Sequence, residues 1–198
     1  MFRFKIKQQI GQTLLEVIIA LAVITTGVVS SLSLTSYNLT TVFSSETRLI
    51  AANLAREGIE AARQLRDSNW LAGNPWNQGI VDAGKYRLTV NFDPSANAWT
   101  TQSQAVDIGA CANCQLYLAG SGVYSHNAAG NTATAYKRLI TLKQICWQDV
   151  SGSEVVMAVG QNCGANPLIG YQVESLLAWT EAGRAHQLSV IDRLYDWK

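Results

Sequence analysis

From Val17 to Ser45 the chain carries no charged residue. As helix, these 29 positions would reach about 40 Å at roughly 1.5 Å per residue. A bilayer core needs only about 20 residues. Such a segment belongs in lipid, in a polymer or in a large core. The chain has 198 residues, room for about one domain plus an appendage. A membrane or polymer environment is therefore expected. Ahead of the run, Met1 to Lys7 holds Arg3, Lys5 and Lys7 and no acid. Cations flanking a first apolar segment hold that end in the cytoplasm. The reading is N-terminus inside and everything after Ser45 outside.

Composition narrows the function classes. Charged residues make up 15% of the chain, below the roughly 25% of a soluble domain. Lys and Arg number 15 against 14 Asp and Glu, a formal net charge of +1. No nucleic-acid partner is expected, because that needs a basic patch or stripe. An ordinary secretory signal would end its apolar core at a small-residue cleavage site. The Ala20-Leu21-Ala22 string falls early in the run. A cut there would leave a short apolar core interrupted by Glu16.

Glu16 sits in Leu14-Leu15-Glu16-Val17-Ile18-Ile19. An ionised carboxylate in hydrocarbon costs several kcal/mol unless it has a partner. A plain anchor has no use for it, although a carboxylate near the headgroups can snorkel. In a packed filament with a dry helical core, a buried carboxylate seeks a cation. That cation would have to come from a neighbouring subunit. If Glu16→Ala still assembled normally, that pairing would be refuted.

Gly11-Gln12-Thr13-Leu14-Leu15-Glu16-Val17, behind its basic leader, resembles the class III signal of type IV prepilins and type II secretion pseudopilins. The Leu14 to Leu21 wording is closer to minor pilins of the PilV type and I-type minor pseudopilins. The resemblance implies a leader at residues 1–11, cut by prepilin peptidase between Gly11 and Gln12. It implies N-methylation at Gln12, and filament assembly guided by Glu16. The implied partners are other pilin subunits, the prepilin peptidase, an inner-membrane assembly platform and, before assembly, membrane lipid. The implied location is the cytoplasmic membrane, then a surface pilus or a periplasmic pseudopilus. The chain departs from the pattern twice. Gln12 stands where the family usually has Phe or Met, and no proline interrupts the segment from Phe4 to Asn74. Helix weakening would have to come from Gly27 and the serines and threonines around it.

From Ser44 to Asp67 the pattern turns amphipathic. Ile50, Leu54, Gly58, Ala61 and Leu65 form one row; Ala51, Ala55, Ile59 and Ala62 widen it. Arg56/Glu60 and Arg63/Asp67 are spaced as i,i+4 pairs on the solvated side, worth a few tenths of a kcal/mol each. One helix over residues 12–67 is expected, its first half in membrane or filament and its second half on a head, 68–198. At about 1.5 Å per residue it is too long for burial in one small domain.

Strand patterns follow. Tyr86, Leu88, Val90 and Phe92 alternate with polar residues, and Asp93 to Asn97 closes the strand. Further strands are expected at Lys137–Gln148, Val155–Val159, Tyr171–Thr180 and His186–Ile191. Glu181 to Ala185 marks a hairpin, and Ala119–Thr134 reads as a polar loop. The expected fold is α+β and pilin-like: a long N-terminal helix packed on a C-terminal antiparallel sheet.

The four cysteines, Cys111, Cys114, Cys146 and Cys163, lie in the part expected outside the membrane, where an even number suggests disulfides. Three pairings are open. Cys146–Cys163 is favoured, with Cys111–Cys114 as the second. A zinc site would need two close pairs, and Cys146 and Cys163 are 17 apart. A redox pair would want a helix N-terminus, whereas Gln115 to Tyr117 reads as strand. The six tryptophans read as core and filament packing. Trp70 and Trp76, in a polar stretch, are the candidates for exposed contacts. No phosphate loop, nucleophile elbow or carboxylate pair stands out, so neither an enzyme nor a cofactor or metal is expected. The expected function is structural, a minor pilin of a type IV pilus or related filament. The alternatives are a type II secretion pseudopilin and a membrane-anchored module, binding or enzymatic, that does not polymerise.

Overall fold

A computed structural model of the chain describes residues 10–81, 86–94, 96–149 and 151–196, with side chains from Thr13 onward. Residues 1–9 of the expected leader and Trp197 lie outside the described residues, as do the side chains of Gly11 and Gln12. The chain divides into two units, Met1–Thr47 and Arg48–Lys198.

The helix α1 spans Ile10–Leu71. In the first unit it is the whole described structure. In the second unit its C-terminal part lays Ala51, Leu54, Ala55, Ile59, Ala61 and Ala62 against a sheet, each 4% exposed or less. These are the rows that the three- and four-residue spacing predicts. The helix runs four residues past the expected Asp67. Its stop is Gly73, at φ +72°, where a left-handed residue lets the last carbonyls find partners. Ala72 N–H donates to Ser68 O and Asn74 N–H to Asn69 O. The Arg66 guanidinium, 4.6 Å above the Trp70 ring, braces this last turn.

Eight strands follow among the described residues: β1 (Arg87–Asp93), β2 (Ala98–Ser103), β3 (Gln115–Leu118), β4 (Tyr124–Ser125), β5 (Thr132–Gln148), β6 (Ser153–Val156), β7 (Leu168–Glu181) and β8 (Arg184–Tyr195). All pairings are antiparallel. β5 is the spine: β3, β1 and β6 pair with successive stretches of it, and β7 pairs with it from Tyr136 to Cys146. The β7–β8 hairpin turns on Ala182 and Gly183, at φ +48° and +76°. Two left-handed residues match the twist of the strands they join.

The fold class is α+β, a long apolar N-terminal helix on an antiparallel sheet. Three parts of the head differ from expectation. The strand expected at Val155–Val159 is β6, which starts at Ser153 and ends at Val156. The polar stretch 119–134 is not all loop; it contains β4, which pairs with β3, and the start of β5. β2 was not foreseen, because Ala98 to Ser103 alternates only between exposed and half-buried positions. The main core lies between α1 and the sheet, with Ile140, Leu142, Val173, Leu177 and Leu194 among its members. The other sheet face is covered near Leu139 by Ile108 and the Cys111 and Cys114 side chains.

Candidate functional site

The first unit is a surface without cover. Every residue from Thr13 to Phe43 is exposed. Sixteen large apolar side chains between Leu14 and Phe43 are 52–69% exposed. Burying a side chain of this kind is worth roughly 1.5–3 kcal/mol, so covering the set is worth on the order of 20 kcal/mol or more. That exceeds the roughly 5–15 kcal/mol that stabilises a typical domain. The segment is long and apolar enough to cross a membrane, and it is a candidate membrane span near the N-terminus.

Nine hydroxyls of this segment bond back to the helix's own backbone. The hydroxyls of Thr25, Thr26, Ser30, Ser31, Thr35, Thr40, Thr41, Ser45 and Thr47 each donate to a carbonyl three or four residues earlier. Such bonds hide a hydroxyl that would be costly to bury unpaired. Glu16 cannot be hidden that way. It is the one charged residue between Thr13 and Ser45, and it lies exposed beside Leu15, Ile19 and Ala20 in an open groove. The structure places Gly11 and Gln12 in the first turn of α1 by their backbone, one turn or so before Glu16.

In the second unit a cation is buried where the sequence reading had none. Arg138 is 0% exposed, on β5. Its Nη1 donates to Leu54 O at 3.0 Å and its Nη2 to Val90 O at 3.2 Å. Nη1 also lies 3.3 Å from Glu57 Oε1. Burial pushes the guanidinium pKa down; the Glu57 carboxylate pushes it up. Arg138 thus ties α1, β1 and β5 together. It was legible: Tyr136, Arg138, Ile140 and Leu142 share one face at a period of two, so Arg138 had to point where its apolar neighbours do. Gly58 lets α1 approach this point, since an added Cβ would lie 2.5 Å from the Ser175 hydroxyl oxygen.

The cysteines form two disulfides, Cys111–Cys114 and Cys146–Cys163. This is the favoured pairing. Cys111–Cys114 closes a tight turn of 3-10 helix, Ala112–Cys114, over the outer sheet face. Cys146–Cys163 fastens the end of β5 to the loop before β7. No further cysteine is free. Among the described residues no group of three or more His, Cys, Asp or Glu side chains could hold a metal ion.

Other expected contacts are rearranged. Arg63 does not take Asp67; it binds Glu60 at 2.7 Å and Asp192 of β8 at 2.6 Å, and Asp67 takes Arg66 at 2.9 Å. The β8 carboxylate reaches Arg63 because that strand packs beside the helix face. Trp70 and Trp76 are half-buried, not free contacts: Trp76 lies against Tyr171 at 5.4 Å between ring centres. His186 stacks on Trp179 at 5.4 Å on β7 and β8. His126 is held by its Nδ1 on Gln115 O at 3.1 Å. Burial, with the Arg138 cation as a second cause, lowers its pKa to about 4. That keeps the ring neutral at physiological pH and fixes Nδ1 as the donor to a carbonyl.

The chain matches no family model, and no curated protein or solved structure matches it.

Proposed function

We propose that this chain is a pilin-like filament subunit, a minor pilin of a type IV pilus or related filament. The observation that carries the reading is the first half of α1. It carries exposed apolar side chains on all sides, is uncovered, and holds one charge, the carboxylate of Glu16, five residues beyond Gly11. A membrane satisfies the apolar surface but not the carboxylate. A bundle of like helices satisfies both, if each Glu16 meets the α-amino group freed at a neighbour's Gln12 by a cut after Gly11. Lipid holds the subunit before assembly, with the basic leader inside, and the disulfide-bonded head suits an oxidising compartment. The head is the part presented on the filament.

The test is a mass spectrum of the N-terminal peptide of the native protein, taken from membranes and from sheared filaments. A peptide starting at Gln12, with or without an added methyl group, is expected. An intact Met1 terminus would demote the chain to a simple anchored module.

A further inference from the structure

Among the described residues β8 pairs with β7 and with no other strand, so it is an edge of the sheet. It runs 12 residues, about 40 Å at roughly 3.4 Å each, whereas the edge strands β2, β4 and β6 have 6, 2 and 4 residues. The turn between β7 and β8 has two residues, so Glu181 and Arg184 flank it as a hydrogen-bonded pair. Such pairs alternate, and Arg184, His186, Leu188, Val190 and Asp192 thus bond to β7. Asp196 N–H, in the same phase, donates to Ile169 O at 3.1 Å. The backbone groups of Ala185, Gln187, Ser189, Ile191 and Arg193 therefore point away from the sheet, and these residues are exposed. Proteins usually guard such an edge with a proline, a lysine, a bulge or a charge pointing inward. β8 has no proline and no lysine, and its register on β7 has no shift. Its inward charge, Asp192, is neutralised by Arg63 at 2.6 Å.

An unguarded edge takes a further strand. The side chains of β8 select it. On the helix-facing row, Arg184 and Asp192 stand four residues either side of Leu188. Arg184 is exposed and has no ion-pair partner among the described residues. Asp192 gives Oδ2 to Arg63 and keeps Oδ1 for a second donor. An antiparallel copy centred on Leu188 sets each Arg184 opposite the other copy's Asp192, with Leu188 on Leu188 between them. These are non-hydrogen-bonded pairs, whose side chains lie closest. On the outer row Ala185 meets Ile191 and Gln187 meets Ser189, and no like charges are opposed. Leu188 and Val190, half-buried at the rim of the core, gain cover. We infer that β8 pairs antiparallel with β8 of a second copy, centred on Leu188, through about eight ladder bonds. The twofold axis reverses the partner's head. Copies anchored in one membrane point the same way, so the pair joins copies on facing surfaces. This inference does not rest on the filament reading, because every residue it uses belongs to the head.

The test is sedimentation velocity of the full chain in detergent at low salt, where surface ion pairs are screened least. A dimer with a Kd on the order of micromolar is expected. Arg184→Asp and Asp192→Arg should each weaken it roughly tenfold or more, since each sets like charges opposite one another at both ends of the ladder. A mixture of the two variants should recover the dimer, because opposite charges then face each other again. Ser189→Pro removes an N–H from the open edge and none from the β7 ladder. It should abolish the dimer while the thermal unfolding of the head barely moves, and with Arg184→Asp it decides the matter if Asp192→Arg does not fold. A monomeric parent overturns the assignment. So does a mixture of folded charge variants that stays monomeric. So does self-association that survives Ser189→Pro and Arg184→Asp, which would belong to the uncovered half of α1.

Discussion

Leu32 and Leu54 sit on one helix, 22 residues apart, at 63% and 4% exposure. Up to Phe43, α1 has exposed apolar residues on all sides and one charge. From Arg48 on it has an apolar stripe against a sheet, with Arg56, Glu57, Glu60 and Arg63 off that stripe. The second half is explained by its own chain, because what is apolar is covered. The first half is explained only by something outside the chain. Hydrophobic sequence thus has two meanings, and the distribution of charge tells them apart: a stripe marks an internal partner and an uncharged cylinder marks an external one.

Substituting the two leucines should separate these meanings most sharply. Leu54→Ala removes a packed side chain and should cost the head about 3 kcal/mol, roughly a 10 °C fall in unfolding temperature at this size. Leu32→Ala should leave the head's transition within about 0.5 kcal/mol of the parent. Differential scanning calorimetry of both variants in the same detergent decides. Equal losses would mean that the two halves do not differ as described.

The glutamates give the next contrast. Glu57→Ala leaves the buried Arg138 with carbonyl oxygens alone and should cost about 2–3 kcal/mol. Arg138→Met should cost less than Glu57→Ala, since the abandoned Glu57 is partly exposed and regains water. Glu16→Ala should not move the head's unfolding at all, while the filament reading has it block assembly. Chemical denaturation of the three variants measures the order.

The sequence carried the helix and the long strands well. Rows at three and four residues placed Leu54, Ala55 and Ile59 on the sheet, alternation found most of β1, and apolar runs between turn signals found most of β5 and β7 and half of β8. It carried the helix end less well: the pattern loses its apolar row after Leu65, but termination waits for the left-handed Gly73. Short strands such as β4 are made by partners, not by their own composition, so Tyr124 and Ser125 could not announce themselves. Arg63's choice of Asp192 over Asp67 needed the fold, since the two residues are far apart in the chain.

His126 sharpens the comparison through pH, because the covered unit can store a titration that an uncovered helix cannot. Its pKa falls from an ordinary 6.5 to about 4 in the folded head. Between those values the unfolded chain binds the proton and the folded chain does not. Stability therefore rises with pH across the window and is lost as pH falls from about 6.5 towards 4. The full shift would correspond to about 3 kcal/mol; discounted for the ring's partial exposure, about 2 kcal/mol is expected. His126→Asn should flatten the stability profile between pH 7 and 4 by that amount relative to the parent. An unchanged slope would mean that the ring is solvated in the folded state.

The smallest effect expected is in the glycines, and it differs in sign between the two halves. Gly27 has nothing within 4 Å of where a Cβ would stand, whereas at Gly58 that Cβ would lie 2.5 Å from Ser175 Oγ and 3.3 Å from Ser175 Cβ. Alanine gains roughly 1 kcal/mol over glycine inside a helix. At Gly27 nothing opposes the gain, so amide exchange around that turn should slow by about fivefold. At Gly58 overpacking costs about 1–3 kcal/mol, because the serine hydroxyl can turn away but its Cβ cannot. The net expectation is a loss of about 1 kcal/mol in the head. Ser175→Ala removes the nearer atom and should return part of that loss in the Gly58→Ala background. If Gly58→Ala instead stabilised the head, α1 would be free to lift from β7. The close approach at Ser175 would then not fix the helix on the sheet.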